Sequence, residues 1–151
     1  MAEPRAKNAG RPASQEAAVI DVGSNSVRLV IFKIDGRAVT PIRNEKVMAG
    51  LGRGLSENGV LHAEGREVAL AALKRFSALV EARGVGAVHA VATAAVRSAS
   101  DGAAFVERAA QSSGVALRVI EGKEEARLSA LGVVAGAPDA CGIVGDRKSV
   151  V

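Results

Sequence analysis

"VIDVGSNSVRL" (residues 19–29) is an apolar run that ends on an acid, passes through a short polar turn and resumes as a second apolar run. Asp21 ends the first run, and Gly23 opens the turn. A tight hairpin is one interpretation, because Ser and Asn are common turn residues. The other is an anion-binding turn, in which glycine lets the backbone approach a phosphate and the acid holds a metal ion. In that interpretation the phosphate meets the N–H groups of Ser24, Asn25 and Ser26.

The bulk composition indicates one globular domain rich in small aliphatic side chains. The chain has 151 residues, 48% of them hydrophobic, with three Phe and neither Trp nor Tyr. Ala, Val and Leu must therefore fill the interior, which suits helices packed closely on a sheet. Cys141 is the only cysteine, so an internal disulfide is excluded and a reducing compartment is indicated.

The charge pattern and the ends of the chain exclude several classes of partner. The N-terminal stretch lacks the apolar segment of a secretory signal, and no apolar run approaches the ~20 residues of a membrane helix. We therefore expect a cytoplasmic protein without membrane partners. The net charge is +4, but residues 17–145 are close to balance and contain no Lys/Arg cluster interleaved with aromatics. Nucleic acid is therefore not an expected partner.

The hydrophobic periodicity predicts strands followed by alternating helices and strands. Strands are predicted over 17–22, 27–34, 37–47, 87–93, 117–120 and 141–144, and helices over 65–83, 101–113 and 123–135. The order βββαβαβαβ describes an antiparallel meander continued by α/β units, hence a mixed sheet with helices on its faces. It is the α/β order of the ribonuclease H-like, actin-like ATPase lobe.

Several residues predict local details of these elements. Asp35 and Gly36 predict a type I′ hairpin turn, and Pro41 predicts an edge strand or a bulge. Ser100 or Asp101 is expected to cap the second helix. The residues expected to be buried are Ala69, Leu73, Phe76 and Val80 in the first helix, Phe105, Val106, Ala109 and Ala110 in the second, and His89 in the strand between them.

Two further polar stretches follow predicted strands, where ligands lie in open α/β sheets. "ATAAVR" (92–97) puts Thr93 at a strand end and Arg97 four residues later, suited to grip a phosphate. The same sequence is equally compatible with an ordinary surface arginine at the start of a helix. "IEGKEEARL" (120–128) puts Glu121 and Glu125 on one helical face. They form either an ordinary acidic first turn or a carboxylate that orients or deprotonates a water.

Five stretches together resemble, in order and spacing, the exopolyphosphatase / guanosine pentaphosphate phosphohydrolase (Ppx/GppA) family. They are "VIDVGSNSVRLVIF", "GLGRGLSENGVL", "ATAAVRSASDG", "IEGKEEARLSALGV" and "GIVGD", within residues 17–146. The resemblance implies the actin-like ATPase fold. It also implies Mg²⁺-dependent hydrolysis of terminal phosphoanhydride bonds, in inorganic polyphosphate or guanosine pentaphosphate.

The resemblance assigns roles to individual residues. Glu125 matches the catalytic glutamate that positions the attacking water, and Arg97 matches an arginine that faces the phosphates, with Thr93 placed in the same phosphate site. Residues 21–26 match the first phosphate loop, in which Asp21 is the acid that holds the metal. Asp146, in the last motif, is the second expected metal ligand.

The chain departs from the family pattern after residue 146, where "RKSVV" stands in place of a glycine-rich second phosphate loop. We therefore expect a disordered tail over 1–16, an N-terminal lobe over 17–146 and a stretch foreign to the family over 147–151. A truncated protein has this pattern. We expect the chain alone to be inactive and to self-associate, and the full-length protein to form a homodimer.

Two alternatives remain for the function. An actin-like kinase or chaperone-type ATPase lobe also begins with an acid–glycine phosphate loop. Nucleotide binding without hydrolysis of polyphosphate would favour this alternative. A non-catalytic sensor would bind the alarmone or phosphate and signal through a partner. Ligand binding without hydrolysis would favour the sensor.

Overall fold

The computed structural model describes residues 15–136, which form a five-stranded mixed sheet with helices. The strands are β1 (Gln15–Val22), β2 (Ser26–Asp35), β3 (Ala38–Met48), β4 (Ala87–Ala92) and β5 (Arg118–Val119). The helices are α1 (Leu55–Asn58), α2 (Ala63–Arg83), α3 (Ala94–Ser98), α4 (Gly102–Ser113) and α5 (Gly122–Gly136). The predicted mixed α/β sheet is confirmed, whereas α1 and α3 were not predicted. The predicted strand over 141–144 lies outside the described residues, and the predicted division of the chain stays a prediction.

The strand order is β3-β2-β1-β4-β5, and it combines two kinds of pairing. β2 pairs antiparallel with β1 and β3, while β1 with β4 and β4 with β5 pair parallel. Val22, Ala92 and Val119 are register partners across the three parallel strands. The carboxyl ends of these strands therefore lie at one edge of the sheet, and the segments that follow them are neighbours.

The β2–β3 hairpin differs from its prediction at the turn. Asp35 pairs with Ala38, so the two central residues are Gly36 and Arg37. Only Gly36 has a positive φ, 61°, so the type I′ prediction is wrong; glycine at the first central position is typical of type II′. Pro41 lies on the edge strand beside a register shift, as predicted, because its missing N–H removes a ladder donor.

The core lies between one face of β1 and β2 and helix α2. All four residues predicted for the buried face of α2 are buried, and Gly84 ends the helix with φ 71°. In α4, Phe105 and Ala109 are buried but Ala110 is exposed, which contradicts its predicted burial. The buried stripe is narrower than predicted because α4 packs chiefly on α2 and not on the sheet.

Among the described residues, the other face of the sheet is less covered than the face that packs on α2. His89, the register partner of Val19 on this face, is exposed, so its predicted core position is wrong. Alternation along β4 turns its side chain away from α2. Helix α5 contains no buried residue, and Leu128 and Leu131 are among its exposed apolar side chains. Among the helices within residues 15–136, none is both long enough and apolar enough to cross a membrane.

An ion pair ties the start of β1 to the end of α2. Arg83 donates from Nε to Oε2 of Glu16 at 2.6 Å and from Nη2 to Oε1 at 2.9 Å. This hydrogen bonding holds the pKa of Glu16 below its ordinary value of 4.5, because it favours the ionised carboxylate. A carboxyl group with a depressed pKa adds stability above its unfolded pKa and loses it as the pH falls through the folded pKa.

We therefore expect Glu16→Gln to lower the melting temperature at neutral pH and to lose this effect in acid. The gap in Tm between wild type and variant should be present above pH 4.5, the ordinary Glu value, and close as the pH falls below it. The gap should be small because the pair is close to solvent. Calorimetry over a pH series measures it. A gap of equal size at neutral and acidic pH would show that the carboxylate charge is not its cause.

Candidate active site

Three strand ends converge at one edge of the sheet. The N–H of Thr93 donates to the carbonyl of Val22 at 3.1 Å, and the N–H of Ile120 donates to the carbonyl of Ala92 at 3.0 Å. These bonds continue the parallel ladders one step beyond β4 and β5. The segments after β1, β4 and β5, which the sequence marked as chemically notable, therefore begin side by side.

A cleft of about 450 Å³ opens between this edge and the first turns of α5. It is lined by Val19, Asp21, Val91, Thr93, Ile120, Glu125, Leu128 and Ser129. Thr93 is 8% exposed and is the one buried polar residue among positions 15–136. A volume of this size suits a small ligand. Three predicted site residues, Asp21, Thr93 and Glu125, thus share one cleft although they are up to 104 positions apart in the chain.

Arg97 connects the end of β5 to the acid of α5. Its Nη1 donates to the carbonyl of Ile120 at 2.6 Å and lies 3.5 Å from Oε2 of Glu125. The two side chains are 32% and 31% exposed, so this ion pair contributes only about 0.2–1 kcal/mol. The short carbonyl bond anchors the guanidinium, while the longer carboxylate contact is the weaker of the two.

Glu125 is distinguished from the neighbouring acids by its position. Glu121, just before α5, accepts the N–H of Glu125 at its carbonyl (2.9 Å). Glu124 binds Arg127 at 2.9 and 3.1 Å, and this hydrogen bonding lowers the pKa of Glu124. Of the three acids, Glu125 alone lines the cleft described above.

The turn after β1 is held from one side by a glycine-rich segment. Within the turn, the Gly23 N–H donates to the Ser26 carbonyl at 3.0 Å, so the hairpin interpretation describes its backbone correctly. The carbonyls of Ser24 and Asn25 accept N–H groups from residues 49–52 at 2.9–3.0 Å. In trans peptides the N–H points opposite to the carbonyl, so the N–H groups of Asn25 and Ser26 point away from that segment.

The fit of the site to a metal ion depends on its carboxylates. Between residues 15 and 136, no three or more His, Cys, Asp or Glu side chains are grouped to hold a metal by themselves. Mg²⁺ in phosphate sites commonly uses one or two carboxylates together with substrate phosphates and waters. Asp21, the predicted metal ligand in the cleft, fits that arrangement better than it fits an all-protein cage. Asp146, the other predicted ligand, lies outside the described residues.

The structure also adds residues that the sequence did not assign to the site. Leu128 and Ser129 line the cleft, and their spacing of three and four from Glu125 on one helix was the available signal. Asp101 was one of the two residues, with Ser100, that were expected to cap α4. It occupies the N-cap position but makes no capping bond; its carboxylate accepts Leu61 N–H at 2.9 Å and Arg66 Nη1 at 2.8 Å. No local pattern indicates contacts 40 and 35 positions away.

A second cleft of about 450 Å³ lies on the face of the sheet that carries α2. Its lining is chiefly aliphatic, and Glu81 is the charged residue in it. It therefore lacks the acid–arginine pairing of the first cleft.

Comparison with known proteins identifies the family of the chain. The sequence matches the model of the Ppx/GppA phosphatase family over residues 30–146, a range that begins after the β1–β2 turn. Exopolyphosphatase 1 of Mycobacterium bovis is 29% identical over 116 residues, which is 76% of this chain and 34% of the relative. The guanosine-5'-triphosphate,3'-diphosphate pyrophosphatase of Aliivibrio fischeri is 34% identical over 116 residues, 77% of this chain and 23% of the relative. The chain thus spans about a third or less of these curated relatives.

A solved structure supports the same assignment. The crystal structure of the Aquifex aeolicus Ppx/GppA family member superposes with a TM-score of 0.79 at 32% identity, covering 83% of this chain and 41% of that chain. The actin-like ATPase fold expected from the element order is thereby confirmed. The chain belongs to the Ppx/GppA phosphatase family.

Proposed function

We propose that this protein hydrolyses the terminal phosphoanhydride bond of inorganic polyphosphate or of guanosine pentaphosphate. The observation that carries the proposal is the cleft that gathers Asp21, Thr93 and Glu125, with Arg97 paired to Glu125. Relatives named as an exopolyphosphatase and as a guanosine pentaphosphate pyrophosphatase support this class of reaction. We also propose that the full-length protein forms a homodimer and is located in the cytoplasm.

The terminal phosphate is bound by Arg97, Thr93 and the turn after β1. The Ile120 carbonyl holds one guanidinium nitrogen, while the planar fork offers further donors to phosphate oxygens. Gly23 opens the turn, and the N–H groups of residues 24–26 supply further donors. The contact between Arg97 and Glu125 is long, so a bound phosphate competes with Glu125 for the guanidinium. The carboxylate that is released can then accept a hydrogen bond from the attacking water.

Glu125 then directs the attack on the phosphate. The water oxygen forms a bond to the terminal phosphorus, the bond from phosphorus to the bridging oxygen breaks, and the carboxylate accepts the water proton. The shortened chain leaves with the bridging oxygen. Phosphoryl transfer requires mainly alignment and neutralisation of charge, and the anchored arginine and the backbone donors provide both.

We propose Mg²⁺ as the cofactor, held by Asp21 and, outside the described residues, by Asp146. Bound there, the ion would neutralise charge on the phosphate oxygens. The small number of carboxylates at the cleft agrees with a metal that is held partly by substrate.

The test is phosphate release by the protein expressed from its complete reading frame. Polyphosphate, guanosine pentaphosphate and ATP are tested as substrates in water enriched in ¹⁸O. Each substrate is assayed once in the presence of Mg²⁺ and once in the presence of EDTA. We expect Mg²⁺-dependent release from one of the first two substrates, with ¹⁸O in the released orthophosphate because water is the nucleophile.

Three other outcomes would contradict the proposal. Turnover of ATP alone would identify a kinase or ATPase lobe. Binding of polyphosphate or the alarmone without release would identify a sensor. Release without ¹⁸O in orthophosphate would exclude direct attack by water on the terminal phosphorus.

A further inference from the structure

A glycine-rich loop, residues 49–62, contacts both the turn after β1 and the junction that follows helix α3, which carries Arg97. At its start, the N–H groups of Ala49 and Gly50 donate to the Asn25 carbonyl at 3.0 Å, and Gly52 N–H donates to the Ser24 carbonyl at 2.9 Å. This end of the loop therefore holds the turn that follows β1.

The other end of the glycine-rich loop holds the junction between α3 and α4. The Gly59 carbonyl accepts the N–H of Ser100 at 2.9 Å and its hydroxyl at 3.0 Å. The Leu61 N–H donates to the Asp101 carboxylate at 2.9 Å. Since Ser100 lies three residues after Arg97, the loop connects the phosphate turn to the segment that carries the phosphate-binding arginine.

Close backbone contacts make these connections stiff. A Cβ on Gly52 would lie 3.1 Å from the Cβ of Ser24, and a Cβ on Gly65 would lie 2.7 Å from the Ala49 carbonyl oxygen. Both are closer than ordinary packing, so the segments meet without room for a side chain. Leu51 and Leu61 anchor the loop in the core. A shift at one end of the loop is therefore transmitted to the other.

Asp101 is the charged residue at the centre of this arrangement, and it does not play its expected local role. A residue at the N-cap normally bonds the first turn of its own helix, but Asp101 uses both carboxylate oxygens on Leu61 and Arg66. Asp101 forms the ion pair with the Arg66 guanidinium. Within the described residues, Nε of Arg66 is buried without a hydrogen-bond partner, so this ion pair is the main polar contact of the guanidinium. Departures from local rules of this kind are expected near functional sites.

We propose that Asp101 is a positioning residue for the phosphate site. Its carboxylate fixes the glycine-rich loop against α2 and α4, and the loop in turn fixes the turn of residues 23–26 relative to Arg97. Asp101 touches neither substrate nor reacting atoms. This inference rests on the proposed function for its ligand, but its effect on the turn is a property of the free protein.

The test compares Asp101→Ala and Asp101→Asn with the control Glu67→Gln. Alanine removes the contacts of residue 101 with both Leu61 and Arg66. Asparagine keeps a carbonyl oxygen that can accept the Leu61 N–H, but it lacks the negative charge that pairs with Arg66. Glu67 pairs with Arg108 at 2.7 and 2.9 Å and so also joins α2 to α4. That pair is 60% and 55% exposed, and its hydrogen bonds join α2 to α4 and not to the glycine-rich loop.

Two measurements are made on the protein expressed from its complete reading frame, well below its melting temperature. The first is amide hydrogen exchange at Ala49, Gly50 and Gly52 in the free protein. The second is the Kd for tripolyphosphate by calorimetry. For Asp101→Ala we expect exchange about tenfold faster and binding about tenfold weaker, as when a supporting residue of a site is removed. Asp101→Asn should show a smaller change of the same sign, and Glu67→Gln changes within about twofold.

Each result decides the proposal. Unchanged exchange and Kd in both Asp101 variants would overturn it, and so would equal effects from Glu67→Gln, which would indicate general destabilisation. If Asp101→Ala does not fold, Asp101→Asn decides by the same criteria. If the wild type does not bind tripolyphosphate, the proposed function fails, and faster exchange in the Asp101 variants still supports the positioning of the turn.

Discussion

Glu125→Gln should lower kcat for phosphate release by about 100- to 10,000-fold, the range expected when a general base is removed. Glutamine keeps the size of the side chain and can still face Arg97, but it cannot accept the proton of the attacking water. KM should change little or fall, because the substitution removes a negative charge from a cleft that binds phosphate. Initial rates over a range of polyphosphate or guanosine pentaphosphate concentrations separate kcat from KM.

Glu124→Gln is the matched control for this prediction. It makes the same change one residue away on the same helix, at a carboxylate that binds Arg127 and does not line the cleft. We expect its kcat to stay within about twofold of wild type, as for other surface substitutions. Equal losses in the two variants, or near-normal kcat in Glu125→Gln, would remove Glu125 from the catalytic role.

Gly102→Ala should destabilise the fold by about 3 kcal/mol, at the upper end of the cost of overpacking. A Cβ on Gly102 would overlap the carbonyl oxygen of Val96. That oxygen belongs to α3, so the clash is relieved only when the start of α4 and the helix that carries Arg97 move apart. Urea denaturation followed by circular dichroism measures the loss as a lower midpoint with an unchanged m-value.

Gly132→Ala is the control for the effect of alanine in place of a helical glycine. Gly132 lies within α5, and among residues 15–136 no atom outside its own helix turn lies within 4 Å of the position that its Cβ would take. We expect this variant to be stabilised by up to about 1 kcal/mol, because alanine loses less backbone entropy on folding than glycine. An unchanged midpoint for Gly102→Ala would show that α3 and α4 separate freely, and would weaken the coupling proposed for Asp101.

Local patterns predicted most of the long elements correctly. The buried face of α2 follows from helical spacing, and the glycines at 84 and 114 end α2 and α4 with positive φ, a conformation that glycine adopts without steric cost. Pro41 indicated the edge strand because it lacks an N–H. Five short motifs in order indicated the family, which the comparisons confirmed. Each of these signals lies within a few residues of the feature that it predicts.

The wrong predictions concern environments that other elements provide. His89 lies in an apolar strand, but the face on which its side chain lies is not covered by α2. Ala110 lies on the helical spacing of its neighbours, but α4 packs over a narrower stripe. The hairpin turn moved by one residue because the pairing of Asp35 with Ala38 sets its centre. Burial and register are decided by partners distant in the chain.

The sequence by itself determined the long helices and strands, the family and most of the candidate residues, since periodicity, helix-ending glycines and motifs are local. Only the tertiary structure decided which candidates meet. Parallel pairing of β1, β4 and β5 brings Asp21, Thr93 and Glu125 to one cleft, and the start of α5 turns Glu125 toward it instead of Glu124. The contact of Asp101 with Leu61 spans 40 positions and replaces the cap that its sequence position predicts. Such contacts depend on packing between segments, and no local pattern encodes them.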